Sequence, residues 1–316
     1  MHELLEHLFH NKKLIVDMNI ELKKLLLTDF RYAKEAYEAD SIEAENALKS
    51  KDMVSYYDYS LNLTLADTSW ALGKLDEAKT FYQHNSKILL QKRAWHTEHS
   101  HSNYPIDAIL DWEASTFIKS GNLETGKTYL KRAINYWNNR SGNYLVLTKL
   151  GLHAAQAGLE EEAQYANTVI KARLELSGSN SIIAQEVRKM LHYEPAQIQL
   201  LLGNWNLFNQ EIEKFKRVEQ LIKENKGLIA FPDALQKALI AAMKGLTLIA
   251  LMHNNSIEID TIKHTSIQAF EEAMLYFYEF NGQIDWNIYF MQLNKIIVNQ
   301  LITSRKINPN PFADTY

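Results

Sequence analysis

Three stretches of the chain repeat one pattern, and this repetition narrows the folds open to it more than any other feature. Gly73-Lys-Leu-Asp-Glu-Ala78-Lys-Thr-Phe-Tyr82, Gly121-Asn-Leu-Glu-Thr-Gly126-Lys-Thr-Tyr-Leu130 and Gly158-Leu-Glu-Glu-Glu-Ala163-Gln-Tyr-Ala-Asn167 each follow an apolar stretch with helical spacing. Each reads as a glycine closing one helix, a short polar turn, and a small residue five positions on where a second helix packs against the first. A repeated helix–turn–helix unit of this kind builds extended binding surfaces rather than enclosed catalytic pockets.

Composition supports the helical reading. Only five prolines and eleven glycines interrupt 316 residues, which favours long helices over many short strands. A chain of this length buries a sizeable core. With no cysteine it has no disulfide framework, thiolate metal site or thiol nucleophile. The charged start, Met1-His-Glu-Leu-Leu-Glu, lacks the apolar core and small-residue cleavage site of a signal peptide, so a cytoplasmic location is expected. The most apolar stretch, Ala238 to Met252, carries Lys244 and is shorter than a bilayer span, so it is expected to be a buried helix and not a membrane anchor. A net charge of −4 argues against a general nucleic-acid binder, which needs a basic surface.

The expected architecture is all-α, a single domain over residues 1–316. Helices at 1–50, marked by Leu4, Leu5, Leu8, Leu14, Ile15, Met18, Leu22 and Leu25, precede hairpins over 50–225. The hairpins are Ala47–Gly73 with the helix after it, about Ile106–Gly121 with Glu124–Trp137, and Leu145–Gly158 with Glu160–Leu176. A fourth, Ile182–Leu202 with Leu207–Glu224, turns at Gly203-Asn204, but its second helix has Phe208 where Ala78 and Ala163 stand. Helices from Pro232 to about Met252, Thr261 to Phe280 and Trp286 to Ser304 fill 226–306, and the tail 307–316 is expected to be extended. Pro232 suits a first helical turn, where its missing N–H is not needed.

These residues resemble the tetratricopeptide motif, in which a glycine closes the first helix, a small residue follows five on, an aromatic four further and an alanine three beyond. Gly73, Ala78 and Tyr82 match and Asn85 departs. Gly121 and Ala133 match, Gly126 is small, and Leu130 replaces the aromatic. Gly158 and Ala163 match, whereas Asn167 and Ile170 depart. The three glycines are 48 and 37 residues apart, against the family's period of ~34. The resemblance implies antiparallel hairpins stacked as an irregular α-solenoid. The whole chain, cysteine-free and all-α with decayed repeats, is also similar to immunity proteins of bacterial polymorphic-toxin systems, including the immunity protein 49 family. That similarity implies a protein that binds and neutralises a cognate toxin.

Two segments carry candidate chemistry. Trp95-His96-Thr-Glu98-His99-Ser-His101 has imidazoles and a carboxylate suited to zinc, with Asp107, Asp111 and Glu113 close behind. His96 and His99 share a helical face and His101 does not, so the segment reads as a polar helix end and loop. A metal site and acid–base work are the alternatives, and neither a catalytic metal nor a cofactor is expected. Glu160-Glu161-Glu162 is explained by the positive dipole end of a helix. Tyr276-Phe277-Tyr278-Glu-Phe280 places aromatics all round a helix, for core packing or as a contact patch.

The second segment is Asp29–Glu77. It holds eleven acidic and five basic residues, a balance of −6, interleaved with tyrosines. Acid for steering and aromatic area for affinity suit a basic protein partner. The expected contact residues are Glu43, Glu45, Asp52, Tyr56, Tyr57, Asp58 and Tyr59. The chain is thus expected to be a non-enzymatic protein binder whose partner is a basic toxin domain, with no nucleic acid or membrane as ligand. A peptide-reading regulator or scaffold is the alternative, and a metal-dependent enzyme using His96–His101 a further one.

Overall fold

The computed structural model of the chain describes residues 24–28, 31, 56–98, 110–138, 144–176, 192–224, 233–254, 259–304 and 306–313. Among these residues every regular element is an α-helix. In chain order they are α1 (Tyr56–Ala71), α2 (Leu75–Glu98), α3 (Leu110–Lys119), α4 (Leu123–Asn138), α5 (Tyr144–Gln156), α6 (Glu160–Leu176), α7 (Glu194–Leu201), α8 (Trp205–Glu224), α9 (Asp233–His253), α10 (Ile259–Asn281) and α11 (Trp286–Thr303).

One turn recurs four times, between α1 and α2, α3 and α4, α5 and α6, and α7 and α8. Its glycines, Gly73, Gly121, Gly158 and Gly203, have φ of 76°, 84°, 73° and 72°. Side chains with a Cβ are disfavoured in this left-handed region, which is why glycine stands there. Each glycine N–H donates to the carbonyl three residues back, on Trp70, Ile118, Ala155 and Leu200. The next N–H donates to the carbonyl five back, on Ser69, Phe117, Ala154 and Gln199. This double bond pattern is the Schellman closure of a helix, and it satisfies carbonyls the helix end would leave bare. The following helix begins at once: the amides of Ala78, Gly126, Ala163 and Phe208 donate to the carbonyls of Lys74, Asn122, Leu159 and Asn204. The fourth turn therefore matches the other three despite Phe208, because the turn is set by backbone geometry.

Small residues also recur seven positions before each turn glycine, at Ala66, Ala114, Gly151 and Ala196, all buried. At Gly151 the helices α5 and α6 come close. A Cβ added to Gly151 would lie 2.4 Å from the Ala166 Cβ, and one added to Gly126 would lie 2.4 Å from Ile118 Cδ1.

The chain divides into two compact units, one of residues 23–146 with 310–316, the other containing residues 147–309. In the first, α1 pairs with α2, α3 with α4, and α2 packs on α3. Its largest buried side chains include Trp70, Tyr82, Phe117 and Ile118. In the second, α7 is buried on every side. The long helix α9 is apolar enough to cross a membrane by length and composition, yet 67% of that window is buried. It packs against α8, α10 and α11. It meets α10 closely at Gly245, where a Cβ would lie 2.5 Å from the Phe270 ring. Asp285 caps α11 by accepting from the amides of Asn287 and Ile288. After α11 the described tail, residues 306–313, is non-helical.

Candidate binding surfaces

Much of the acidic, tyrosine-rich segment lies outside the described residues, including Glu43, Glu45 and Asp52. Tyr56, Tyr57, Asp58 and Tyr59 form the first turn of α1. Three of the segment's carboxylates have a described environment. Asp67 is structural: its Oδ1 accepts from Lys119 Nζ at 2.8 Å and from the Tyr82 hydroxyl at 2.5 Å. The Lys119 and Asp67 side chains are only 7% and 19% exposed. One charge of the local acidic excess is therefore neutralised by a lysine from outside the segment and is not available for steering. Asp76 and Glu77 are exposed in the first turn of α2, where the helix dipole favours them, and Glu77 pairs with Lys74 at 3.2 Å.

His96 falls in the last turn of α2, whereas His99 and His101 lie outside the described residues. Among the described residues no group of three His, Asp or Glu side chains is placed to hold a metal ion. The aromatic run on α10 divides. Phe277 is buried 6.0 Å from the Tyr193 ring, Tyr276 lies under the Lys237 ammonium at 5.5 Å, and Phe280 is exposed near the helix end.

A cleft of ≈ 330 Å³ opens in the unit of residues 147–309. Leu174 of α6, Pro195 and Ala196 of α7 and Met243 of α9 supply its apolar lining. Lys171 and Glu175 of α6, His192, and Glu211, Lys214 and Arg217 of α8 supply the polar groups. Glu211 accepts from Lys171 and from Lys214, each at 2.7 Å, which ties α6 to α8. Burial alone would push the Glu211 carboxyl upward, but the two lysines outweigh it and hold it below the usual carboxylate range. Glu211 is thus ionised at neutral pH and poorly suited to act as a general acid. His192 Nδ1 lies 3.3 Å from the buried Glu194 carboxylate. The lining thus combines apolar side chains with charged groups, two lysines matched by Glu211 and His192 by Glu194. No sequence motif marks this cleft, because its residues come from four separate segments.

No protein-family profile, curated protein or solved structure matches the chain.

Proposed function

We propose that the chain is a non-catalytic protein-binding protein whose tetratricopeptide-like hairpins stack as an irregular α-solenoid. We further propose that its partner is a basic toxin domain, which it neutralises in the bacterial cytoplasm as an immunity protein does. The observation supporting the binding reading is the recurrence of one turn, with the same hydrogen bonds, at Gly73, Gly121, Gly158 and Gly203. Hairpins repeated on one turn yield broad surfaces whose exposed residues set specificity. The toxin as partner rests on the resemblance to immunity proteins. The contact is assigned to the acidic, tyrosine-rich segment without Asp67, which the core retains.

The test is co-expression with the gene product encoded beside this chain's gene. That product alone is expected to arrest growth, and this chain to relieve the arrest and bind it directly. Changing Glu43, Glu45, Asp52 and Asp58 to lysine should slow association and flatten its salt dependence, because steering is lost. A harmless neighbour, or arrest that the chain leaves untouched, overturns the toxin reading. Charge reversal without effect on a folded chain removes the acidic segment from the contact.

A further inference from the structure

We propose that the slot between Trp70, Tyr82 and the Gly121 turn is a recognition site for a peptide turn carrying a Pro-Phe pair. The chain's own Asn310-Pro311-Phe312-Ala313 occupies that slot as an intramolecular ligand. All of these residues belong to the unit of residues 23–146 and 310–316. Phe312 is buried. It meets Trp70 edge-on with ring centroids 5.4 Å apart and lies 6.4 Å from the Tyr82 ring. The tail forms its own turn before it enters: the Ala313 N–H donates to the Asn310 carbonyl at 3.1 Å, with Pro311 at the second position, where proline presets the backbone. The tail backbone then rests directly on Gly121. A Cβ there would lie 2.4 Å from the Phe312 carbonyl oxygen. At Gly158 and Gly203, with the same turn geometry, a Cβ would meet nothing within 4 Å. One of the recurring turns is therefore used as a platform and two are open.

The walls of the slot are held by the protein. Tyr82 is tied through its hydroxyl to Asp67, and Asp67 to Lys119, whose ammonium also lies 5.4 Å from the Tyr82 ring centroid. A slot whose walls are fixed in this way loses little freedom on receiving an aromatic anchor. A short turn anchored by one ring can exchange, and in cis its tether supplies a high effective concentration that a competitor must overcome. A partner presenting a similar turn would displace the tail; that consequence rests on the protein-binding reading, whereas the exchange itself does not.

The experiment uses the full chain, its Phe312→Ala variant and a fluorescent peptide of residues 306–316. The Phe312→Ala chain is expected to bind the peptide saturably, and the unaltered chain at least about tenfold more weakly because its tail competes. The same peptide with alanine for its phenylalanine should not bind. Adding Gly121→Ala to the Phe312→Ala chain should abolish binding. A Phe312→Ala chain with an unchanged helical circular dichroism spectrum that fails to bind overturns the proposal, as does binding insensitive to the peptide's phenylalanine. A Phe312→Ala chain that no longer folds also overturns it, because the tail is then part of the core. No toxin enters the experiment, so its failure leaves the toxin reading standing.

Discussion

The two units share a turn but differ in some of the polar links they enclose. Among the described residues of the unit 23–146 and 310–316, one enclosed polar link is ionic, Lys119 to Asp67, with the Tyr82 hydroxyl on the same oxygen. In the unit containing residues 147–309 several buried links join neutral groups, beside the ion pair of Lys295 with Glu271 at 2.7 Å. Gln197 and Asn294 exchange two amide hydrogen bonds of 2.8 and 2.7 Å, Tyr193 donates to Asn287 at 2.8 Å, and Gln156 donates to the Tyr289 hydroxyl at 2.9 Å. Gln197 lies on α7, whose residues are all buried, so its amide must find a protein partner. The paired amides of Gln197 and Asn294 offset each other's desolvation, and the one carboxylate on α7, Glu194, lies 3.3 Å from His192 Nδ1. The Lys119–Asp67 pair sits where part of Asp67 still reaches solvent.

The sharpest way to break this comparison is Lys119→Met. It leaves the Asp67 carboxylate largely enclosed without its cation, and a loss of ~3–5 kcal/mol in chemical denaturation is expected, nearer the lower figure because Asp67 is partly exposed. The double variant Asp67→Asn/Lys119→Met is expected to recover most of it. A single-variant loss below ~1 kcal/mol would show that the pair behaves as a surface pair.

Next comes Asn294→Leu, which strands both the donor and the acceptor of Gln197, a side chain with no exposed surface. The expected loss is ~1–3 kcal/mol, and Gln197→Leu/Asn294→Leu is expected to be nearly neutral. If the double variant is as unstable as the single, the amide pair does more than satisfy itself.

Helix approach gives a comparable or smaller effect. Gly151→Ala pushes its methyl against Ala166, and Ala163→Leu overfills a fully buried site; each is expected to cost ~1–3 kcal/mol. For Gly151→Ala a gain of up to ~1 kcal/mol in helix propensity partly offsets the loss. An unchanged melting temperature for both would mean that α5 and α6 can separate freely.

The smallest effect separates two carboxylates of the second unit by pH. Burial raises the Glu272 carboxyl above its ordinary value, partly offset by Lys244. The unfolded chain therefore ionises first, and the cost of Glu272 appears as pH rises from the ordinary carboxylate range through its raised folded value. Glu272→Gln should raise the melting temperature at neutral pH and leave it unchanged in acid. Glu211 has the opposite sign. Its lowered value means a contribution present above the ordinary range and lost as pH falls through the folded value, so Glu211→Gln should destabilise at neutral pH and much less in acid. Parallel pH profiles for the two variants would contradict these assignments.

Much of the helical framework was legible from local signals. The segment Glu160–Leu176 is helical as expected between those residues, and Trp286 opens α11 behind its aspartate cap. The turn glycines were legible because φ is a local property. Phe208, standing where the other three hairpins have a small residue, leaves the fourth turn unchanged, because the turn rests on the backbone of Gly203. The small residue seven positions before each glycine was a usable signal, visible at Ala66, Ala114, Gly151 and Ala196, but it lies on the helix before the turn rather than after it. The candidate surfaces were far less legible. Asp67 counted as acid available to a partner, yet its lysine stands 52 residues away.

Local chemistry thus decided that the chain is helical and where its hairpins turn, because glycine's freedom at positive φ and the scarcity of breakers act within a few residues. Tertiary structure alone decided which charges are internal, which turn carries the tail and where a cleft opens. Those outcomes depend on partners such as Lys119 and Asp67, Gln197 and Asn294, or Gly121 and Phe312. Such partners are distant in the chain, and their contact is set by the packing of whole helices rather than by any spacing along the sequence.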